Sequence, residues 1–232
     1  MGLFSRKPKV SIEDFCQDFY DRHIFHCPSN LVLPSGKGLW EVYLETTYKG
    51  LVQADQSFST VDPMLFHHEA TALRIELFGL ACQHHLKKDE YALQQAIFTW
   101  SYLEQKGKIN IWETMLHYNE GIAISTLDIA KSKGEEAYGA RATYLSASRG
   151  GRAMWMEAGV DAECATRVAN RWDSEEALRQ GITFKRLASR LAVRLECDPN
   201  LNSQALILLG GFVYGLYNGA KEAIKSVKLQ VA

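Results

Sequence analysis

The chain has 232 residues, 47% of them hydrophobic and 23% charged, with a formal net charge of −1. This composition is that of a folded globular protein, and the near-neutral charge excludes a general electrostatic pull toward nucleic acid or an acidic membrane. The cysteines Cys16, Cys27, Cys82, Cys164 and Cys197 are odd in number and form no C-x-x-C pair. That excludes a disulfide framework or a zinc ribbon and leads us to expect reduced thiols in the cytoplasm.

Residues 1–10 read as a flexible basic tail with no apolar run behind it, so no secretory signal is expected. Met1-Gly2-Leu3-Phe4-Ser5-Arg6 misses a myristoylation signal, because Arg6 stands where Ser or Thr is required. Ser11 and Asp14 have capping-box spacing, and a helix to about Phe25 would turn Ile12, Phe15, Cys16 and Phe19 inward. Two prolines and two glycines make 26–38 a loop. Residues 39–57 are ambiguous between strand and helix: Trp40, Val42, Tyr43, Thr46 and Tyr48 suit a strand, yet Leu39, Val42, Tyr43 and Leu51 recur at helical spacing. Helix is preferred, because no partner strand is visible.

Asp62-Pro63 is a helix start, with an Asp to accept free backbone N–H groups and a Pro already at helical φ. The helix to Leu86 carries Leu65, Phe66, Ala70, Leu73, Leu77 and Leu80 on one face. Further helices are expected over 91–105, 109–133, 135–148 and 153–172, with Gly107, Gly134 and Gly150-Gly151 as breaks. One helix is expected from Ser174 to Cys197 and a last one from Pro199 to Lys228. The fold class is therefore all-α, a bundle of about eight or nine helices in one layered domain over 11–232, with a soft boundary near Gly134.

Four constellations could carry function. Glu69 and Glu76 lie beside the apolar face of the 62–86 helix, with His84 further along. Glu113, His117 and Glu120 share a face of the 109–133 helix. Facing helices with Glu and His ligands hold iron or manganese pairs, although the Glu-x-x-His of such bundles is missing. The contrary reading is a solvated face for Glu113, His117 and Glu120, and for Glu69 and Glu76 either a rim position or pairing with an arginine at a helix contact, since an unpaired buried carboxylate is expensive.

The second constellation is an arginine ridge. Arg179, Arg186, Arg190 and Arg194 fall within about 80° on a helical wheel. Residues 141–194 hold nine Arg and one Lys against six acidic residues, a balance of +4. Guanidinium forks suit phosphates or carboxylates, unless neighbouring helices neutralise them. The third is Arg149-Gly150-Gly151-Arg152, which could hold an anion on backbone N–H groups but lacks the features of a phosphate loop and better suits a plain inter-helix turn. The fourth is the last helix, where Gly211, Gly215 and Gly219 repeat every four residues and bare a groove for a close helix neighbour or for the mate in a homo-oligomer. No residue from Pro199 to Ala220 is charged, so a central buried helix is expected, and its apolar core, Ala205 to Tyr217, spans 13 residues. That is short of the roughly 18 that cross a bilayer.

No nucleophile-and-base motif is present. The reading is a soluble, cytoplasmic helical binding protein, more a binder than an enzyme, that recognises an acidic protein partner or an anionic small molecule through Arg179, Arg186, Arg190 and Arg194, with Arg149 and Arg152 as further contacts. The alternatives are a metal-dependent helical-bundle oxidoreductase, with iron or manganese on Glu69, Glu76, His84, Glu113, His117 and Glu120, and a self-associating structural protein. Nucleic acid and membrane are not expected partners.

Overall fold

The computed structural model describes residues 7–22, 38–86, 89–142, 174–197 and 201–230. They form nine α-helices in one packed all-α domain, plus a short parallel strand pair. Strand β1 (Lys9–Ser11) pairs with β2 (Lys228–Gln230), with Val10 opposite Leu229. The end of the segment read as a tail is thus built into the fold.

Helix α1 (Ile12–Tyr20) starts where Ser11 Oγ accepts from the Asp14 N–H and buries Ile12, Phe15, Cys16, Phe19 and Tyr20. Asp21 and Arg22 continue it as a π turn, and the rest of the stretch expected to about Phe25 lies outside the described residues. Residues 39–57 resolve as helix: α2 (Leu39–Ala54), followed by a 3-10 turn (Gln56–Thr60) that Asp55 caps.

Helix α3 (Pro63–His85) begins as its sequence requires, with Asp62 accepting from the Met64 N–H and Pro63 at the first helical position. Its one-face reading is too narrow. From Glu69 to Cys82 every residue except Arg74 is buried, so α3 is the central helix, packed by α4 (Asp89–Gln105) and α5 (Ile109–Ser132) among others. A helix buried on every side carries apolar residues all round. Gly134, at φ 113°, separates α5 from α6 (135–142).

The helix expected over 174–197 is in fact two. Helix α7 (Ser174–Arg179) ends before Gly181, which sits at φ 74°, and α8 (Ile182–Arg194) restarts there. A left-handed residue cannot continue a right-handed helix, and glycine adopts it without the Cβ clash. The last helix, α9 (Ser203–Ser226), is capped by Asn202. It is not the central helix expected from its lack of charge. One face packs against α3, while Ile207, Tyr214, Gly211, Gly215 and Gly219 are exposed. Among the described residues no side chain comes within 4 Å of where a Cβ at Gly211 or Gly219 would stand, so no neighbour fills the glycine groove there. No described helix is long and apolar enough to cross a membrane.

Two glycines should respond oppositely to alanine. Gly181→Ala puts a Cβ at positive φ and should destabilise by about 1 kcal/mol. Gly50, in α2 with open space around its Cβ position, should gain about 0.5–1 kcal/mol as alanine. Urea unfolding midpoints of the two variants check the pair of signs.

Candidate functional site

The arginine ridge lies over the junction of α3, α5 and α8. Glu69, on α3, has no solvent exposure. Its Oε1 accepts from Arg194 Nε at 3.0 Å and Nη2 at 2.6 Å, and its Oε2 accepts from the Tyr118 hydroxyl at 2.6 Å. Two charge-assisted bonds and a phenol satisfy a carboxylate that would otherwise be costly to bury. Burial, then the charge of Glu69, pushes the Tyr118 phenol well above its ordinary range, so Tyr118 remains a donor. The hydrogen bonds that Arg194 donates to Glu69 push its pKa up.

One turn earlier on α8, Arg190 Nη1 donates to the His117 carbonyl oxygen at 2.6 Å and reaches Glu120 Oε2 at 3.4 Å. A turn earlier again, Arg186 Nη2 pairs with Asp128. The order of these contacts runs α8 antiparallel to α5. Close approach is possible because Gly121 faces the crossing: a Cβ there would stand 2.7 Å from Arg190 Cδ and 3.1 Å from Leu187 Cδ2. The structure therefore brings Arg186, Arg190 and Arg194 together and gives each a carboxylate, so neighbouring helices neutralise much of the ridge. Arg179 does not join them. It sits exposed on α7, beyond the Gly181 break.

What remains is a groove of about 550 Å³ between α5 and α8, lined by His117, Asp128, Ile182, Lys185, Arg186, Ser189, Arg190 and Val193. Among the described residues, Arg186 Nε and His117 Nε2 have no hydrogen-bond partner. Arg190 has only Nη1 engaged. The Arg190–Glu120 pair is long and Glu120 is 68% exposed, which makes it a weak surface contact.

The metal constellation is not assembled. Glu69 is held by Arg194 and Tyr118, and Glu76 is buried with Asn119 Nδ2 on its Oε1 at 2.9 Å. Glu113 and Glu120 face solvent, and His117 lies beside Arg190. His84 Nε2 is 2.7 Å from Ser174 Oγ, and its Nδ1 is 3.4 Å from the Tyr217 hydroxyl. Among the described residues no group of three or more His, Cys, Asp or Glu side chains could hold a metal ion. The reason is local: Tyr118 and Asn119, next to His117 in sequence, occupy the buried side of α5 and take both α3 carboxylates, while His117 turns toward α8. Arg149 and Arg152 lie outside the described residues.

Sequence reasoning missed Tyr118, Asn119, Asp128, Lys185 and Gly121. Asp128 and Glu120, eight residues apart on the outer side of α5, were the visible signal for arginines arriving from another helix.

Losing Arg194 leaves the Glu69 carboxylate buried without its cation. Arg194→Met should destabilise by about 2–3 kcal/mol, and adding Glu69→Gln should recover part of that loss. Urea denaturation of the two single variants and the double variant measures the coupling.

Burial first, then Arg190 and Arg194, pushes the His117 imidazole down; burial also lowers His67 and His85, the latter helped by Lys221 and Lys225. All three are held neutral more firmly when folded than when unfolded. The stability this gives is fully present above the ordinary imidazole value of about 6.5 and is lost as pH falls from there through the lowered folded values. Unfolding midpoints should therefore drop between pH 7.5 and 5.5, and His117→Asn should flatten that slope.

In comparisons with known proteins, no family model matches this chain, and neither a curated protein nor a solved structure shows significant similarity to it.

Proposed function

We propose that this chain is a binding protein that takes an anionic group, a carboxylate or phosphate of a small molecule or of an acidic partner, in the groove between α5 and α8. The observation that carries this reading is the unspent donor capacity of Arg186 and Arg190, which among the described residues have one engaged nitrogen each, in a groove whose described lining also holds Lys185 and His117 and one carboxylate, Asp128. A guanidinium offers five N–H donors in a fork, so one edge can hold a structural partner while the other receives a ligand. The volume is in the range of small-ligand sites. The site narrows from the full ridge to Arg186 and Arg190, because Arg194 has both its Nε and Nη2 on Glu69. A reducing, cytoplasmic setting, expected from the scattered cysteines, is part of the same proposal.

A panel of citrate, pyrophosphate and inorganic phosphate, followed by thermal unfolding, tests the proposal. An anion at a hundred times its Kd stabilises by about 2.7 kcal/mol. The shift should vanish in Arg186→Glu/Arg190→Glu and persist in Arg179→Glu, which lies outside the groove. Equal shifts in the wild type and the double variant, or unaltered recovery of partners from a lysate by the double variant, would overturn the groove as the site.

A further inference from the structure

A cavity of about 1180 Å³ opens beside the β1–β2 strand pair, lined also by the ends of α3 and α9 and the start of α4. Its described walls are aliphatic, with Leu86, Ile224, Val227 and Leu229 supplying most of the apolar surface. Its described rim is basic: Lys7, Lys9 and Lys228 are exposed lining residues, and no described lining residue is acidic. Lys7 Nζ donates to the Lys225 carbonyl oxygen at 2.6 Å, which occupies one of its three donors and leaves its charge uncompensated. Glu222, a carboxylate at this end of α9, pairs with Lys225. Among the described residues the side chains of Lys9 and Lys228 have neither a carboxylate nor a hydrogen-bond partner.

The strand register is a second, independent observation. Lys9 stands directly opposite Lys228 in the parallel pair. Neighbouring strands lie about 4.8 Å apart, so the two ammonium groups spring from adjacent backbone positions and repel. A strand pair that served only to tie two chain segments together would gain from Lys against Glu at this position. Here both partners are cations and both line the cavity. A carboxylate bound between them would replace one repulsion by two attractions. The same positive field reaches further in: after burial, Lys221 and Lys225 push down the imidazole of His85, another lining residue.

We infer that this cavity binds a free fatty acid, with its aliphatic chain along Leu86, Ile224, Val227 and Leu229 and its carboxylate between Lys9 and Lys228. The volume exceeds the roughly 300–1,000 Å³ of ordinary small-ligand sites, which suits a long chain rather than a lone anion. Burial of methylene groups supplies the affinity, and the lysines select the anionic head. The site shares no described lining residue with the α5–α8 groove.

Isothermal titration of the full chain with decanoate, with neutral 1-decanol and acetate as comparators, tests it. We expect saturable 1:1 binding of decanoate, at least tenfold weaker binding of the alcohol, and none of acetate. Lys9→Glu sets a carboxylate against Lys228, so it should hold the fold at least as firmly as the wild type and bind decanoate at least tenfold more weakly. Lys228→Gln, a change at an exposed side chain, should weaken decanoate at least threefold and leave 1-decanol unaltered. Arg186→Glu/Arg190→Glu should bind decanoate as the wild type does, which separates this site from the other groove. Sedimentation with phosphatidylglycerol vesicles distinguishes a lipid surface from the free acid, and the chain should stay in the supernatant. Absence of saturable decanoate binding, equal affinity for acid and alcohol, unchanged affinity in both lysine variants, or capture by the vesicles without decanoate binding would overturn the proposal.

Discussion

A carboxylate shut away from water has to be met by hydrogen bonds and an opposite charge, and Glu69 meets that demand with groups from two other helices. Tyr118 of α5 and Arg194 of α8 converge on its two oxygens. The three helices are thereby fixed in rotation as well as in distance. Apolar packing alone tolerates small slips, because dispersion is non-directional; a bond of 2.6 Å to one oxygen does not. Once Arg194 is pinned, residues one and two turns earlier on α8 have no freedom left. Arg190 must lie over Gly121 and reach the His117 carbonyl, and Arg186 must meet Asp128.

The other sides of α3 obey a different rule. Phe19 stacks on Phe78 with 4.0 Å between centroids, and Phe66 meets Phe212 of α9. These faces hold α1 and α9 by buried aromatic area rather than by directed bonds. The polar seam and the aromatic faces coexist on one helix because α3 is surrounded, so each neighbour sees only its own stripe. The strand pair β1–β2 then joins the two ends of the described chain beside α1.

Much of this was legible in the residues. Asp62-Pro63 and Ser11 named their helix starts, since capping chemistry is local. Desolvation left two readings for Glu69, a rim position or an arginine at a helix contact; its burial on Arg194 is the second, and which arginine would arrive was not legible. What escaped the sequence was non-local or conditional. The β1–β2 pair joins residues more than two hundred positions apart, and three-residue strands leave no periodic trace. Gly181 broke a helix whose arginine spacing on either side read as continuous, because the wheel registers angles and not the φ of one glycine. The charge-free last helix read as central, yet burial is decided by neighbours, and α3 took that place. The proposed metal ligands are not brought together among the described residues for a related reason. Helical spacing put Glu113, His117 and Glu120 on one face, but only tertiary packing could show that Tyr118 and Asn119 hold the side toward Glu69 and Glu76.

The same packing explains how an arginine can brace a fold and still receive a ligand. Along α8 the guanidinium groups are committed to different degrees. Arg194 sets Nε and Nη2 against one buried oxygen, and that edge of the fork is consumed. Arg190 uses Nη1 alone, on a backbone carbonyl that cannot move, and shares it with an exposed carboxylate. Arg186 uses Nη2 and leaves Nε without a partner. A charge held in place by one nitrogen has already lost most of its rotamer freedom, so the entropy of ordering it falls on folding rather than on binding. Preorganised in this way, Arg186 and Arg190 would need only to displace water from their remaining donors to take an anion, and that is the physical ground for proposing the anion site at these two arginines rather than at Arg194.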